Sequence, residues 1–109
     1  MGKIRVVIAD DSSSVRMVLR GLLEECGLRV VQSVGNGAEA VNAVKTHRPG
    51  VLCLDVNMPV MGGLEATRRI RDEGGINAAV PIIALTANVF AADQQQCIDA
   101  GMSDFLPKP

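Results

Sequence analysis

The chain has 109 residues, is 48% hydrophobic and carries a net charge of -1. That is one domain with enough apolar material for a core, and the near-cancelled charge speaks against nucleic acid or an anionic membrane as partner. No apolar run approaches the roughly 18 residues that span a bilayer, and the acidic "MGKIRVVIADD" start does not read as a signal peptide.

"IRVVIA" (4–9) is a β-branched run closed by Asp10 and Asp11. "SSVRMVLRGLLEECG" (13–27) has helical spacing: Val15, Val18, Leu19, Leu22, Leu23 and Cys26 share a face. Ser12 or Ser13 can cap its start and Gly27 its end. "LRVVQSV" (28–34) reads as a strand and "GNG" as a turn. "AEAVNAVKTH" (38–47) is a predicted helix with Val41 and Val44 inward. "VLCLD" (51–55) is a strand buried on both faces that ends abruptly in Asp55. "GLEATRRIRDE" (63–73) is a helix on Leu64, Thr67 and Ile70. "RDEGGINAAVP" reads as an internal loop. "VPIIALT" (80–86) is a strand, "AADQQQCIDAG" (91–101) a helix, and "DFLP" (104–107) a short last strand.

Alternating strands and helices imply a doubly wound α/β domain over residues 1–109, with a parallel five-stranded sheet. Such sheets bind ligands beyond the carboxyl ends of their strands. Asp10 and Asp11 follow the first strand, Asp55 ends the third, Thr86 ends the fourth and Lys108 follows the fifth. The second is followed only by "GNG". Taken singly, each residue has a plainer reading: a helix cap, a turn acid, a solvated lysine. Together, at the ends of the right strands, they form a constellation.

Three carboxylates at close range repel, by about 4 kcal/mol for two unit charges ~4 Å apart at an effective dielectric near 20. Either one is protonated or a cation sits among them. Hard oxygen ligands suit Mg²⁺. With Mg²⁺ and Lys108 the cluster is formally neutral, so an incoming phosphoryl group meets no net repulsion. Asp55 is then a candidate nucleophile that forms an acyl phosphate, and Thr86 can donate to a phosphoryl oxygen. His47, beside Arg48 and Pro49, reads as a solvated helix-end residue. Cys26, Cys53 and Cys97 show no metal or redox spacing and read as small buried hydrophobes in a reducing cytoplasm.

"VVIADDSSSVR", "LDVNMPVMGG", "LTA" and "PKP" resemble the receiver domain of two-component response regulators, over essentially the whole chain. Residues 3–73 are similar to chemotaxis and methylesterase regulators. "LTANVFAADQQQCIDAGMSDFLPKP" is similar to receivers of hybrid sensor kinases. The resemblance implies a flavodoxin-like strand order 2-1-3-4-5. It implies that Asp55 is the phosphoacceptor, served by a histidine kinase or histidine phosphotransfer domain. It further implies Mg²⁺ on Asp10, Asp11, Asp55 and the Asn57 carbonyl, Asp10 acting mainly through water or from behind the direct ligands. Thr86, Phe105 and Lys108 would carry the switch, and Lys108–Pro109 would be cis. Asn57 and Asn88 fall where side chains tune water access to the acyl phosphate. Ser14, Met17 and Gly21 cluster beside the core face of the first helix and are candidates for docking the donor helix.

The family's fifth helix is absent from the chain. Its absence predicts an uncovered sheet face and leaves three readings: first, that the 109 residues are a C-terminally truncated piece of a longer natural chain; next, that the uncovered face drives self-association; last, that the chain is a loosened, partly disordered fragment. Two other readings remain open: a metal-dependent aspartyl-phosphate hydrolase, disfavoured by Asn57 at its second-acid position, and a degenerate receiver serving only as an interaction module.

Overall fold

The computed structural model describes residues 2–73, 75–87 and 91–109. Its elements are β1 (Arg5–Ala9), α1 (Ser13–Glu25), β2 (Arg29–Val34), α2 (Gly37–His47), β3 (Val51–Asp55), α3 (Gly63–Asp72), a 3₁₀ turn (Ile76–Ala79), β4 (Ile82–Thr86), α4 (Ala91–Ala100) and β5 (Asp104–Pro107). The strands form one parallel sheet in the order β2-β1-β3-β4-β5. This is the flavodoxin-like arrangement the resemblance implies.

Local chemistry sets the boundaries. Ser12 caps α1 by accepting from the Val15 amide at 3.3 Å, and Gly27 (φ 88°) follows its end. Asn36 caps α2 by accepting from the Glu39 amide at 2.9 Å. Gly101 (φ 108°) ends α4 in the left-handed region that glycine reaches without penalty. The stretch read as a loop between α3 and β4 contains the 3₁₀ turn.

Two apolar clusters flank the sheet. The larger joins Val7, Leu52, Leu54 and Ile82 to Ala40 and Val44 of α2, Ala66 and Ile70 of α3, and Cys97 of α4. The smaller joins Val6, Ile8, Cys53 and Leu85 to Leu19 and Leu23 of α1. Consecutive β3 residues thus face opposite cores, which explains its unbroken apolar sequence.

Among the described helices, α1 alone covers the second face, and it packs on β1 and β2. Several expectations change there. Of the apolar stripe on α1, only Leu19 is fully buried; Val18 and Leu22 are about half exposed, at 52% and 49%. Leu106 of β5 is 49% exposed, whereas Leu85 stays buried. Cys26 is exposed at the end of α1, so only Cys53 and Cys97 are the buried thiols expected. All peptide bonds among the described residues are trans, Lys108–Pro109 included. The trans isomer is the lower-energy state of X–Pro by about 0.5–1 kcal/mol.

One half-buried cation escaped the sequence reading. Arg71 of α3 donates through Nε to the Gly101 carbonyl at 2.9 Å, and through Nη1 to Ala78 and Val80 carbonyls at 2.9 and 2.6 Å. Burial lowers its pKa, and the three carbonyls stand in for water. It ties α3 to the turn before β4 and to the end of α4.

Candidate functional site

The sheet brings residues far apart in sequence to one edge. Asp10 follows β1 and is fully buried; its amide donates to Val34 at 3.1 Å, and its Oδ1 accepts from the Ser12 amide at 2.9 Å. Asp55 ends β3, 2% exposed, and its Oδ1 accepts from the Asn57 amide at 3.2 Å. Asp11 is exposed at the rim. Each of the three acids offers an oxygen, and these oxygens lie within 4.8 Å of one another. Asp10 and Asp55 are the buried members of the three and Asp11 the exposed one.

Lys108 enters from β5, whose main chain is tied to β4 by the Lys108 amide donating to Thr86 at 3.0 Å. Its Nζ lies 3.1 Å from Asp55 Oδ2 and 3.3 Å from Asp10 Oδ2. Neither of those buried oxygens has a well-directed hydrogen bond; each faces the ammonium only as a charge. Burial pushes the Asp55 carboxyl above its usual pKa; Lys108 draws it back and the Asp10 charge pushes it further up. Burial acts against the Lys108 ammonium, but Asp55 and then Asp10 outweigh it and hold the pKa above its usual value.

Two under-coordinated, solvent-shielded oxygens beside a third carboxylate fit a hard divalent cation. The residues able to hold one are Asp10, Asp11 and Asp55.

Thr86 ends β4 beside this cluster and Ala87 follows it. With Asn57, Leu64, Cys97 and Phe105 they line a cavity of about 440 Å³ between α3 and α4. Phe105 is half-buried and packs on the larger core, so Thr86 and Phe105 share one space. Ser14, Met17 and Gly21 lie outside the cluster on the exposed side of α1. Met17 is 74% exposed, and no atom lies within 4 Å of where a Gly21 Cβ would stand. Asn88 lies outside the described residues. His47 is remote, in the last turn of α2.

The loop joining Asp55 to α3 is more constrained than its sequence suggests. Val60 takes φ 66° while 84% exposed, a strained state for a β-branched residue. Gly63 donates to the Val56 carbonyl at 2.9 Å and sits so close that a Cβ would collide with the Asp55 carbonyl. The glycine pair "GG" at 62–63 was the available signal for that close approach.

A five-stranded 2-1-3-4-5 sheet with three acids and a lysine at its carboxyl edge defines a receiver-type α/β domain. Residues 6–109 match the family described as the response regulator receiver domain, and the chain belongs to that family. It is similar to the protein-glutamate methylesterase/protein-glutamine glutaminase 3 of Hahella chejuensis, with 41% identity over 107 residues, 95% of this chain but 30% of that protein. The likeness to methylesterase regulators is therefore not confined to residues 3–73, and the chain spans about a third or less of these relatives. Among solved structures it is similar to Vibrio cholerae chemotaxis protein CheY4, with TM-score 0.90, 30% identity, and coverage of 99% of this chain and 88% of that one. It is also similar to the receiver domain of a Pseudomonas aeruginosa sensor histidine kinase, solved with a magnesium ion in its active-site cleft. That match has TM-score 0.87, 35% identity, and coverage of 99% and 87%. Among the described residues no helix is long and apolar enough to cross a membrane.

Proposed function

We propose that this chain is a phosphoacceptor switch in which Asp55 takes a phosphoryl group from the phosphohistidine of a histidine kinase or histidine phosphotransfer domain. The observation that carries this reading is the setting of Asp55. It is 2% exposed at the tip of a core strand, with one oxygen tied to Asn57 N–H and the other facing Lys108. A carboxylate so restrained is aimed for in-line attack and loses little freedom on reacting.

In the reaction an Asp55 oxygen bonds to phosphorus as the P–N bond to the donor imidazole breaks, and that electron pair returns to the ring. Mg²⁺ on Asp10, Asp11, Asp55 and the Asn57 carbonyl would supply charge neutralisation of the phosphoryl oxygens. Lys108 balances the new negative charge from β5, and the Thr86 hydroxyl donates to a phosphoryl oxygen from β4. Because Thr86 shares a cavity with Phe105, drawing the hydroxyl toward the phosphoryl group changes the space available to the ring. That is the switch in this reading. Its catalysis is confined to its own phosphorylation and dephosphorylation. Asn57, and Asn88, leave water access without supplying a base, which sets a phosphoryl lifetime of seconds to minutes. A protein donor docks its helix on Ser14, Met17 and Gly21. The free thiols Cys26 and Cys53 accord with a reducing, cytoplasmic setting.

Intact-mass measurement with Mg²⁺ and acetyl phosphate tests this reading. One slowly lost adduct, absent in Asp55→Asn, is expected. Rapid multiple turnover would point to a hydrolase, and absence of any adduct to an interaction module. Met17→Glu combined with Gly21→Arg is expected to slow transfer from a protein donor while leaving acetyl phosphate labelling unchanged. Equal slowing of both would overturn the docking assignment.

A further inference from the structure

The loop between Asp55 and α3 is held at two places. Gly63 closes its neck on Val56. On its far side the Gly37 amide donates to the Met61 carbonyl at 2.8 Å. Gly37 is the first residue of α2, so its N–H has no acceptor within the helix. The Met61 carbonyl satisfies it, and the positive end of the helix dipole favours that oxygen.

The contact admits no side chain. A Cβ on Gly37 would overlap the Met61 carbonyl oxygen and stand 2.9 Å from its carbon and 3.1 Å from the Gly62 oxygen. Nor is the start of α2 free to give way. Asn36 accepts from the Glu39 amide, and Glu39 Oε2 accepts in return from the Gly35 amide at 3.2 Å, a reciprocal lock on the first turn. The Gly37 amide is thus fixed in direction where it meets the loop. Val60, beside Met61, is held at φ 66° within the segment so pinned.

We propose that Gly37 is a positioning residue for cation binding: the first turn of α2 holds this loop so that the Asn57 main-chain carbonyl lies beside Asp55. The inference rests on reading Asp10, Asp11, Asp55 and Asn57 as a divalent-cation site. It gives the "GNG" turn after β2, which supplies no ionisable group, a part in the site's function.

The experiment compares Gly37→Ala with Gly35→Ala and Val44→Ala in the full chain, by amide chemical shifts without metal and during Mg²⁺ titration. At Gly35 a Cβ meets only Arg16 Nη1 at 3.7 Å, an ordinary contact. Val44, 1% exposed on the same helix, controls for stability. Without metal, Gly37→Ala is expected to move the Asn57, Met61 and Gly63 amides while β1 and β2 amides stay in place. With Mg²⁺ its affinity is expected to fall roughly ten-fold or more, the scale for groups that support metal ligands. Gly35→Ala is expected to leave affinity unchanged. Unmoved loop amides in metal-free Gly37→Ala would overturn the proposal even if the parent bound no Mg²⁺, a result that would sink the cation-site reading separately. Parent-like Mg²⁺ affinity in Gly37→Ala, or an equal loss in a Val44→Ala variant of matched melting temperature, would also overturn it.

Discussion

Lys108 Nζ stands 3.1 Å from Asp55 Oδ2, and the same ammonium reaches Asp10 Oδ2 at 3.3 Å. One cation from the sheet edge thus serves two buried acids. Lys108→Ala leaves those acids facing each other. The metal-free variant is expected to lose about 2–3 kcal/mol, below the ~3–5 of a fully buried broken pair because the lysine side chain is 24% exposed. Mg²⁺ binding is expected to survive and restore much of the loss. Beryllofluoride, standing in for the phosphoryl group, is expected to leave residues 94–100 of α4 unshifted in this variant. Full α4 shifts would show that Lys108 does not couple site to helix.

Asp55→Asn removes one of the two facing carboxylates and leaves the Lys108–Asp10 pair. The metal-free variant is expected to melt above the parent. Mg²⁺ should raise the melting temperature of the parent and have little effect on the variant. Calorimetry at fixed pH and salt checks both; a variant melting below the metal-free parent would contradict this account of the charges.

Arg71 spans three carbonyls from two directions. Hydrogen bonds to charged groups contribute about 1.5–3 kcal/mol each and are not additive. Arg71→Met is expected to destabilise by about 2–4 kcal/mol, and Arg71→Lys to recover only part, because an ammonium lacks the guanidinium fork. Urea denaturation followed by circular dichroism measures both, and full recovery by lysine would refute the geometric argument.

The thiols should divide sharply. Cys26 is expected to react with a disulfide reagent in the native state, whereas Cys53 and Cys97 should react only on unfolding. Burial pushes the Cys53 thiol from 9.0 to about 11. Its folded pKa lies above its unfolded one, so the associated stability is complete below pH 9 and is lost as the pH rises toward about 11. Cys53→Ala is expected to flatten the alkaline limb of the stability curve; an unchanged limb would mean other groups govern it.

The face carrying Val18, Leu22 and Leu106 is expected to drive self-association, since clustered exposed apolar residues mark interaction surfaces. Sedimentation across a concentration series should show larger species. Val18→Lys with Leu106→Lys should return a monomer. A parent that remains monomeric at high concentration would count against pairing through this face.

Strand and helix placement and the strand-end residues were legible because they follow from period and position: β3 reads apolar throughout since both its faces are buried, and Asp55 breaks it where the edge begins. Strand order came only through the family resemblance. Arg71 was not legible. In "RRIRD" it resembles its solvated neighbours, and only the approach of Gly101 and the 3₁₀ turn distinguishes it. The exposure of Val18, Leu22 and Cys26 was hidden for the opposite reason, because helical spacing records which face is apolar and not whether anything covers it. Gly37 read as a turn residue, since a contact made by a missing side chain leaves no periodic mark.

β1 and β3 are adjacent, so Asp10 and Asp55 come together as soon as the middle of the sheet forms. Lys108 arrives on β5, the edge strand, hydrogen-bonded on one flank only. Until that strand docks, the acids have no counter-cation within 4 Å among the described residues. A half-melted or nascent molecule therefore presents two facing acids without the ammonium that pairs them. If Asp55 is the phosphoacceptor, as proposed, only molecules whose edge strand has docked would offer the donor a charge-balanced site.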